Sequence, residues 1–410
     1  MILVGTDGLA DNLVRTCTRR IYLDQEVAAL ARVAVKPEIL RWALHRTQEE
    51  ESIQKRFPAV TKWLNNETQP TLKQLEEFAK ATATPLGFFF LSKLPEIKLS
   101  IPHYRTLRDR QNFVPSPDLL ETVQTMERRQ AWMRAYLQDM GHGALSFVGS
   151  CNMEVDPKEA AKKIRSTVGL ESGWAAGCRS WKEALALLID KVERTGVLVV
   201  RNGIVGFNTR RKLNVQEFRG FVLVDGYAPL IFINGADGQA AQMFTIAHEL
   251  AHIWYGQSAA FDLSDLQPAQ EVIERVCNQT AAEILVPESE LRREWENYRD
   301  DPQRFDQLAR HFKVSSIVTA RRSLDLGLIG RDEFFEFYHQ WMEAERRSNH
   351  DGNGGGNFYL NLNYRIGRRF AEAVILSAKA GRISYGEAYR LTGLKGDTFT
   401  KYARHLGIEV

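Results

Sequence analysis

The chain has 410 residues, 44% of them hydrophobic and 26% charged, an ordinary globular composition with room for two to four domains of roughly 100–200 residues each. A net charge of +3 is too small to announce nucleic-acid binding, so any basic surface has to be local. Cys17, Cys151, Cys178 and Cys277 form no CxxC pair, which excludes a disulfide scaffold and fits a reduced, cytoplasmic protein.

No apolar run approaches the roughly 20 residues that span a bilayer, so no membrane partner is expected. The opening MILVGTDGLADN has neither the basic nor the apolar region of a secretory leader. Residues 1–35 are read as an N-terminal extension. From there to residue 98 the text is helical. Ile39, Leu40, Trp42 and Ala43 form one stripe, continued by Ile53 and Phe57 and then by Val60, Trp63 and Leu64. Asn65-Asn66 closes the third helix, and Thr71 stands where a cap for the fourth is wanted. Short helices joined by tight turns suggest a helix-turn-helix domain over 36–98.

Residues 99–142 are read as a connecting segment and helix, the helix running over about 117–138. Amphipathic helices are expected at 158–168 and 182–195. The period then changes to short β-branched and aromatic runs at 197–200, 218–224 and 230–233, the last two joined by a turn at Asp225-Gly226. Helical spacing returns over 240–255 and 271–285, the second helix stopping before Pro287. Together 143–300 form the expected central domain. A helical module over 301–346, a Gly/Asn-rich linker at 347–357 and a C-terminal helical module over 358–410, with a further helix-turn-helix-type hairpin, complete the chain.

The chemistry is concentrated in FTIAHELAHIW. His248 and His252, four residues apart, project from one helix face and can grip one cation between two imidazoles. Glu249, beside the first of them, is placed to take a proton from water as it attacks a carbonyl, the general-base role in a metalloprotease. A third donor is needed. Glu274 is the best-placed supplier, Glu271 its rival, and Glu283 stands a turn too late. His311 and Tyr255 are weaker candidates for stabilising an oxyanion. Trp42, Trp63 and Cys277 read as packing residues, Arg321-Arg322 and Arg368-Arg369 as solvated faces, and His103 as part of a linker clamp.

FTIAHELAHIWYG followed by ERVCNQTAAEILVP resembles the ImmA/IrrE family of metallopeptidases, whose pattern is an HExxH helix and a later ExxxN–AA–LxP helix. The resemblance implies that Glu274, four residues before Asn278, is the third ligand. FRGFVLVDGYAPLIFIN is similar to the strand pair that leads into the family's active-site helix. The segments LRWALHRT, WLNNETQPTLKQLEEFAKATATPLGFFFL, IPHYRTL, LARHFKVSS and ISYGEAYRLTGL are similar to long members carrying an Xre-type helix-turn-helix ahead of the peptidase. On the third helix of that module only Thr61, Lys62, Asn65 and Asn66 could reach DNA, while Glu49, Glu50 and Glu51 crowd the helix before it. A protein-interaction or self-association role, such as a homodimer, stands beside DNA binding there.

The expected fold is therefore α+β: a zincin-like metallopeptidase core of small sheet plus active-site helices, flanked by helical helix-turn-helix-type modules. The expected function is a zinc-dependent endopeptidase of regulatory type. His248, His252 and Glu274 would hold Zn2+ (or Mn2+), Glu249 would be the base, and the substrate would be a repressor or antitoxin. The alternative is a DNA-binding regulator or antitoxin, with a cognate toxin as partner, in which the peptidase fold is structural or sensory.

Overall fold

Pro37 at the first helical position, where a missing N–H costs nothing, opens α1 (Pro37–His45). The computed structural model describes residues 32–47, 50–95, 115–256, 259–261, 272–348 and 361–409. The chain divides into two units, Met1–Lys98 with Val114–Leu120, and Leu99–Phe113 with Glu121–Val410. In the first, α1 is followed by α2 (Glu50–Arg56), α3 (Val60–Leu64) and α4 (Leu72–Ala81). Asn66 adopts the left-handed conformation just after α3, at φ 60°. Thr71 caps α4 through a reciprocal box with Gln74. The buried ring of Phe78 is the centre of this core, meeting Phe57 and Phe89 at 5.8 Å and Trp63 at 5.9 Å, all edge-on.

The second unit takes α5 (Pro117–Asp139) from Glu121 onward, then α6 (Pro157–Val168) and α7 (Trp181–Arg194), followed by β1 (Leu198–Asn202), β2 (Ile204–Val205), β3 (Asn208–Lys212), β4 (Gly220–Leu223) and β5 (Leu230–Asn234). Then come α8 (Gln239–Tyr255), β6 (Ala259–Phe261), α9 (Val272–Leu285), α10 (Glu288–Tyr298), α11 (Arg304–Phe312), α12 (Ser316–Asp325) and α13 (Arg331–Ser348). A π-helical turn at Asn363–Gly367 leads into α14 (Arg368–Lys379), α15 (Tyr385–Thr392) and α16 (Gly396–His405). Asp156 and Ser180 cap α6 and α7, as short polar side chains do at orphan N–H groups.

The main sheet has four strands in the order β1-β5-β4-β6, with β1 parallel to β5 and the other pairs antiparallel. At the β4–β5 turn, Asp225 Oδ1 accepts from the N–H groups of Tyr227 and Ala228, both at 2.9 Å. Every residue of β4 and β5 is buried, and α8 packs on both strands. The hairpin is held from α5, where Gln130 Nε2 donates to the carbonyls of Leu223 (2.7 Å) and Ala228 (3.0 Å).

Arg129, next along α5, is buried. Its Nε donates to Leu391 O at 3.1 Å, and its Nη1 reaches Arg365 O and Ile366 O at 3.2 and 3.3 Å. Burial pulls this guanidinium down to about 10. The carbonyls it binds belong to the π-helical turn and α15, and that turn lies against β1, the edge strand of the sheet. Gly367 in the turn has φ 85°, and a Cβ there would stand 3.2 Å from Val199 O.

The architecture is thus α+β, a small sheet with buried helices flanked by helical segments. Phe305, Phe312 and Phe334, in the segment read as a separate module at 301–346, share one core with α8 and α9. Its last helix runs to Ser348, into the segment read as linker. The β2–β3 ribbon, β6, α10 and α13 go beyond the expected elements. Arg322 is not on a solvated face: it is buried, donates from Nε to Val286 O at 3.2 Å and pairs with Glu283. Arg368 is exposed and pairs with Glu372 at 2.8 Å, as a solvated residue does. Among the described residues no helix is long and apolar enough to cross a membrane.

Glu193, near the end of α7, supplies a pH-dependent contribution. Burial first, then the charges of Asp190 and Glu372, push its carboxyl up to about 7. The folded state therefore keeps a proton that the unfolded chain releases above about 4.5. The stability it lends is complete below that pH and is lost as pH rises through 7. Glu193→Gln is expected to stabilise the protein by about 3 kcal/mol at pH 8 and by almost nothing at pH 4.5. Urea melts at the two pH values check this, and equal effects at both would refute it.

Candidate metal centre

The sequence from Gln242 to Tyr255 is buried at every position, so α8 is enclosed on all sides by protein rather than lying on the surface. It ends at Gly256, left-handed at φ 73°, where a residue with a Cβ would be strained. The four-residue spacing brings His248 and His252 one above the other, with Nε2 facing Nε2 at 3.0 Å. From α9, which packs along α8, Glu274 reaches His248 Nε2 through Oε2 and His252 Nε2 through Oε1, each at 3.2 Å.

These three residues are the one group among the described residues with the makings of a metal site. Donor atoms around a tetrahedral cation at about 2.1 Å stand roughly 3.4 Å apart. The observed separations of 3.0, 3.2 and 3.2 Å fit such a group after small outward shifts. The protonation pattern agrees. His248 Nδ1 lies 3.0 Å from Asn278 Oδ1, an oxygen that only accepts, so Nδ1 carries the proton and Nε2 presents its lone pair inward. Burial pulls the His248 imidazole down, while the Glu274 carboxylate beside its Nε2 works in the opposite direction. Burial works against ionisation of Glu274, but an imidazole proton facing it outweighs burial and holds the carboxyl at about 2, and a cation would take that proton's place.

Glu249 is inaccessible to solvent, and neither carboxylate oxygen has a hydrogen-bond partner. Burial, then the charge of Glu274, pushes its carboxyl well above the ordinary range. A carboxyl so placed, next to a metal-binding imidazole and with both oxygens unspent, is suited to moving a proton. Gly220 on β4 makes the room. A Cβ there would lie 2.5 Å from Thr245 Cγ2, 2.8 Å from Phe232 O and 3.4 Å from Glu249 Oε1. Sequence reading missed this glycine, although its place at the head of a buried strand was a signal of close approach.

The other candidates fall elsewhere. Glu271 and His103 lie outside the described residues. Glu283 accepts from Glu288 N at 3.1 Å and pairs with Arg322. Tyr255 lies beside Thr280, Cys277 and Cys151, and burial pushes its hydroxyl up. His311 packs edge-on against Phe312 with centroids 4.7 Å apart. The Cys277 thiol is buried and driven well above its ordinary range, so it stays protonated. Thr61, Lys62, Asn65 and Asn66 are exposed in the first unit, with Asn65 bonded to Glu67 and Asn66 to Gln69.

A sheet backing a buried helix with two histidines, and a second helix adding a carboxylate, define a metallopeptidase-type domain. Residues 192–324 match the family described as IrrE N-terminal-like domain, among the M78 peptidases. Residues 366–405 match a family described only as a domain of unknown function. No curated protein matches the chain.

The Asn278 contact has a measurable consequence. Asn278→Ala removes the acceptor that fixes the His248 tautomer, and is expected to weaken metal binding by about 10- to 100-fold. Competition against a chromogenic chelator reads this directly, and unchanged affinity would deny Asn278 an orienting role.

Proposed function

We propose that the chain is a zinc-dependent endopeptidase of regulatory type, cleaving a specific regulatory protein such as a repressor or antitoxin. The observation that carries this reading is the convergence of His248, His252 and Glu274 beside the uncommitted carboxylate of Glu249. Two nitrogen donors and one oxygen donor favour zinc over harder cations. When bound, zinc would supply Lewis acidity to the scissile carbonyl and to a water.

The chain's own residues do the rest. His248 and His252 present Nε2 lone pairs, the first fixed in its tautomer by Asn278. Glu249 takes one proton of the attacking water and returns it to the nitrogen as the C–N bond breaks, so one peptide bond and one water become a carboxylic acid and an amine. Met243, Ile246, Ala247 and Leu250, all fully buried, keep bulk water away from the charges. The family match supports peptidase chemistry, and the resemblance to ImmA/IrrE proteins supports a regulatory substrate.

Terminal-peptide mass spectrometry on cells expressing the wild type or Glu249→Gln tests both parts. New protein termini confined to one or a few DNA-binding proteins or antitoxins, and absent from the variant, are expected. Cuts spread across the proteome would overturn the regulatory reading, and no wild-type-specific cut would overturn the peptidase reading.

A further inference from the structure

Positive charge in this chain is unevenly placed. Residues 366–405 hold eight Lys/Arg against three Asp/Glu, whereas the whole chain is only +3, so everything else together is net −2. Residues 37–90, the N-terminal helical segment, hold seven of each sign. The basic excess thus falls on α14–α16 rather than on the N-terminal helices.

The packing shows where those charges point. Phe399 of α16 meets the rings of Tyr385 and Tyr389 of α15 at 6.1 and 5.3 Å, and Phe399, Tyr402 and Ala403 are buried. That inner face leaves Lys401, Arg404 and His405 exposed on the outer side of α16, with Arg390 and Lys395 exposed around the turn. Among the described residues, Arg390, Lys395, Lys401 and Arg404 have no acidic partner, and Asp397 is the one acid on α16. The turn runs through Gly393 at φ 77°. A Cβ on Gly393 would lie 2.6 Å from Phe207 Cε2, so the tip of the β2–β3 ribbon seats against this turn. The ribbon adds Arg210 and Lys212, both exposed.

We propose that the α15–α16 hairpin, flanked by the β2–β3 ribbon, is a docking surface for duplex DNA, gripped through its phosphates. Two short helices about a glycine turn, the second with a basic outer face, are the arrangement that lays a helix along a DNA groove. The exposed side chains of α16 are Asp397, Lys401, Arg404 and His405, none of them aliphatic, so this face lacks the apolar surface a membrane would take up. The proposal is independent of the peptidase reading.

The test is fluorescence anisotropy of the full-length protein with a labelled mixed-sequence duplex of about 30 base pairs, at about 50 and about 200 mM salt. Binding at or below micromolar Kd is expected at low salt, weakening at least tenfold at the higher salt. Lys401→Glu with Arg404→Glu should weaken binding more than tenfold and flatten the salt dependence by about two charges. Lys62→Glu, in the first unit, should leave it unchanged. If the double variant melts early, Arg390→Gln with Lys395→Gln takes its place. No binding at low salt, equal binding by the charge variants, a loss with Lys62→Glu, or tighter binding to phosphatidylserine vesicles than to duplex would each overturn the proposal.

Discussion

Glu249→Gln is expected to lower the rate of substrate cleavage by about 10²- to 10⁴-fold, the usual worth of a positioned general base, with little change in KM. The substitution keeps volume and removes only the capacity to accept a proton. His248, His252 and Glu274 are untouched, so the variant should bind as much cation as the wild type. It should also be at least as stable. In the wild type a carboxyl is buried with no hydrogen-bond partner and faces the charge of Glu274, both of which disfavour its ionised form. A neutral amide relieves that repulsion. Kinetics on the cleaved protein, metal content and a thermal melt together separate loss of chemistry from loss of fold. Normal turnover by the variant would remove Glu249 from the mechanism.

Glu274→Ala is expected to abolish stoichiometric metal binding. The carboxylate contacts both Nε2 atoms at 3.2 Å and is the sole oxygen donor of the cluster. Bound at a concentration a thousandfold above its Kd, a cation stabilises the folded state by about 4 kcal/mol. A chelator should therefore lower the melting temperature of the wild type and leave that of Glu274→Ala where it is. Inductively coupled plasma measurements give the companion number, near one cation per wild-type chain and near none in the variant. A full complement of metal in Glu274→Ala would show that a different carboxylate completes the site.

Much of the site could be read before any coordinates because its logic is local. A pair of histidines four apart on a helix points the same way whatever surrounds it. The Glu274–Asn278 spacing likewise puts the carboxylate and the amide one turn apart on α9. What the text did not disclose depends on distant approaches. Gly220 matters only because β4 comes against Thr245 and Glu249. Arg129 sits in a helix dense in charged residues, where nothing sets it apart, and its partners are carbonyls more than 200 residues onward. Arg322 was read as solvated for the same reason, since nothing near it in sequence announces Glu283. The β2–β3 ribbon escaped notice because NTRRK is polar throughout, with no alternation to mark a strand. The short β6, Ala259–Phe261, opens on two alanines, which carry little strand preference.

The π-helical turn against β1 bears on how this protein is made. β1 is synthesised early and pairs with β5 soon after, and among the described residues the turn at Asn363–Gly367 packs against it as well. While the ribosome is still adding the intervening stretch, the nascent sheet presents Val199 and its neighbours as an unsatisfied template for any passing strand. A chain stopped at residue 357 should therefore associate during expression even though its metal ligands are all in place, and light scattering of the freshly translated product would reveal it. On this view the C-terminal segment shields its own predecessor as well as forming a module, and Arg129 is the latch that keeps the shield in position.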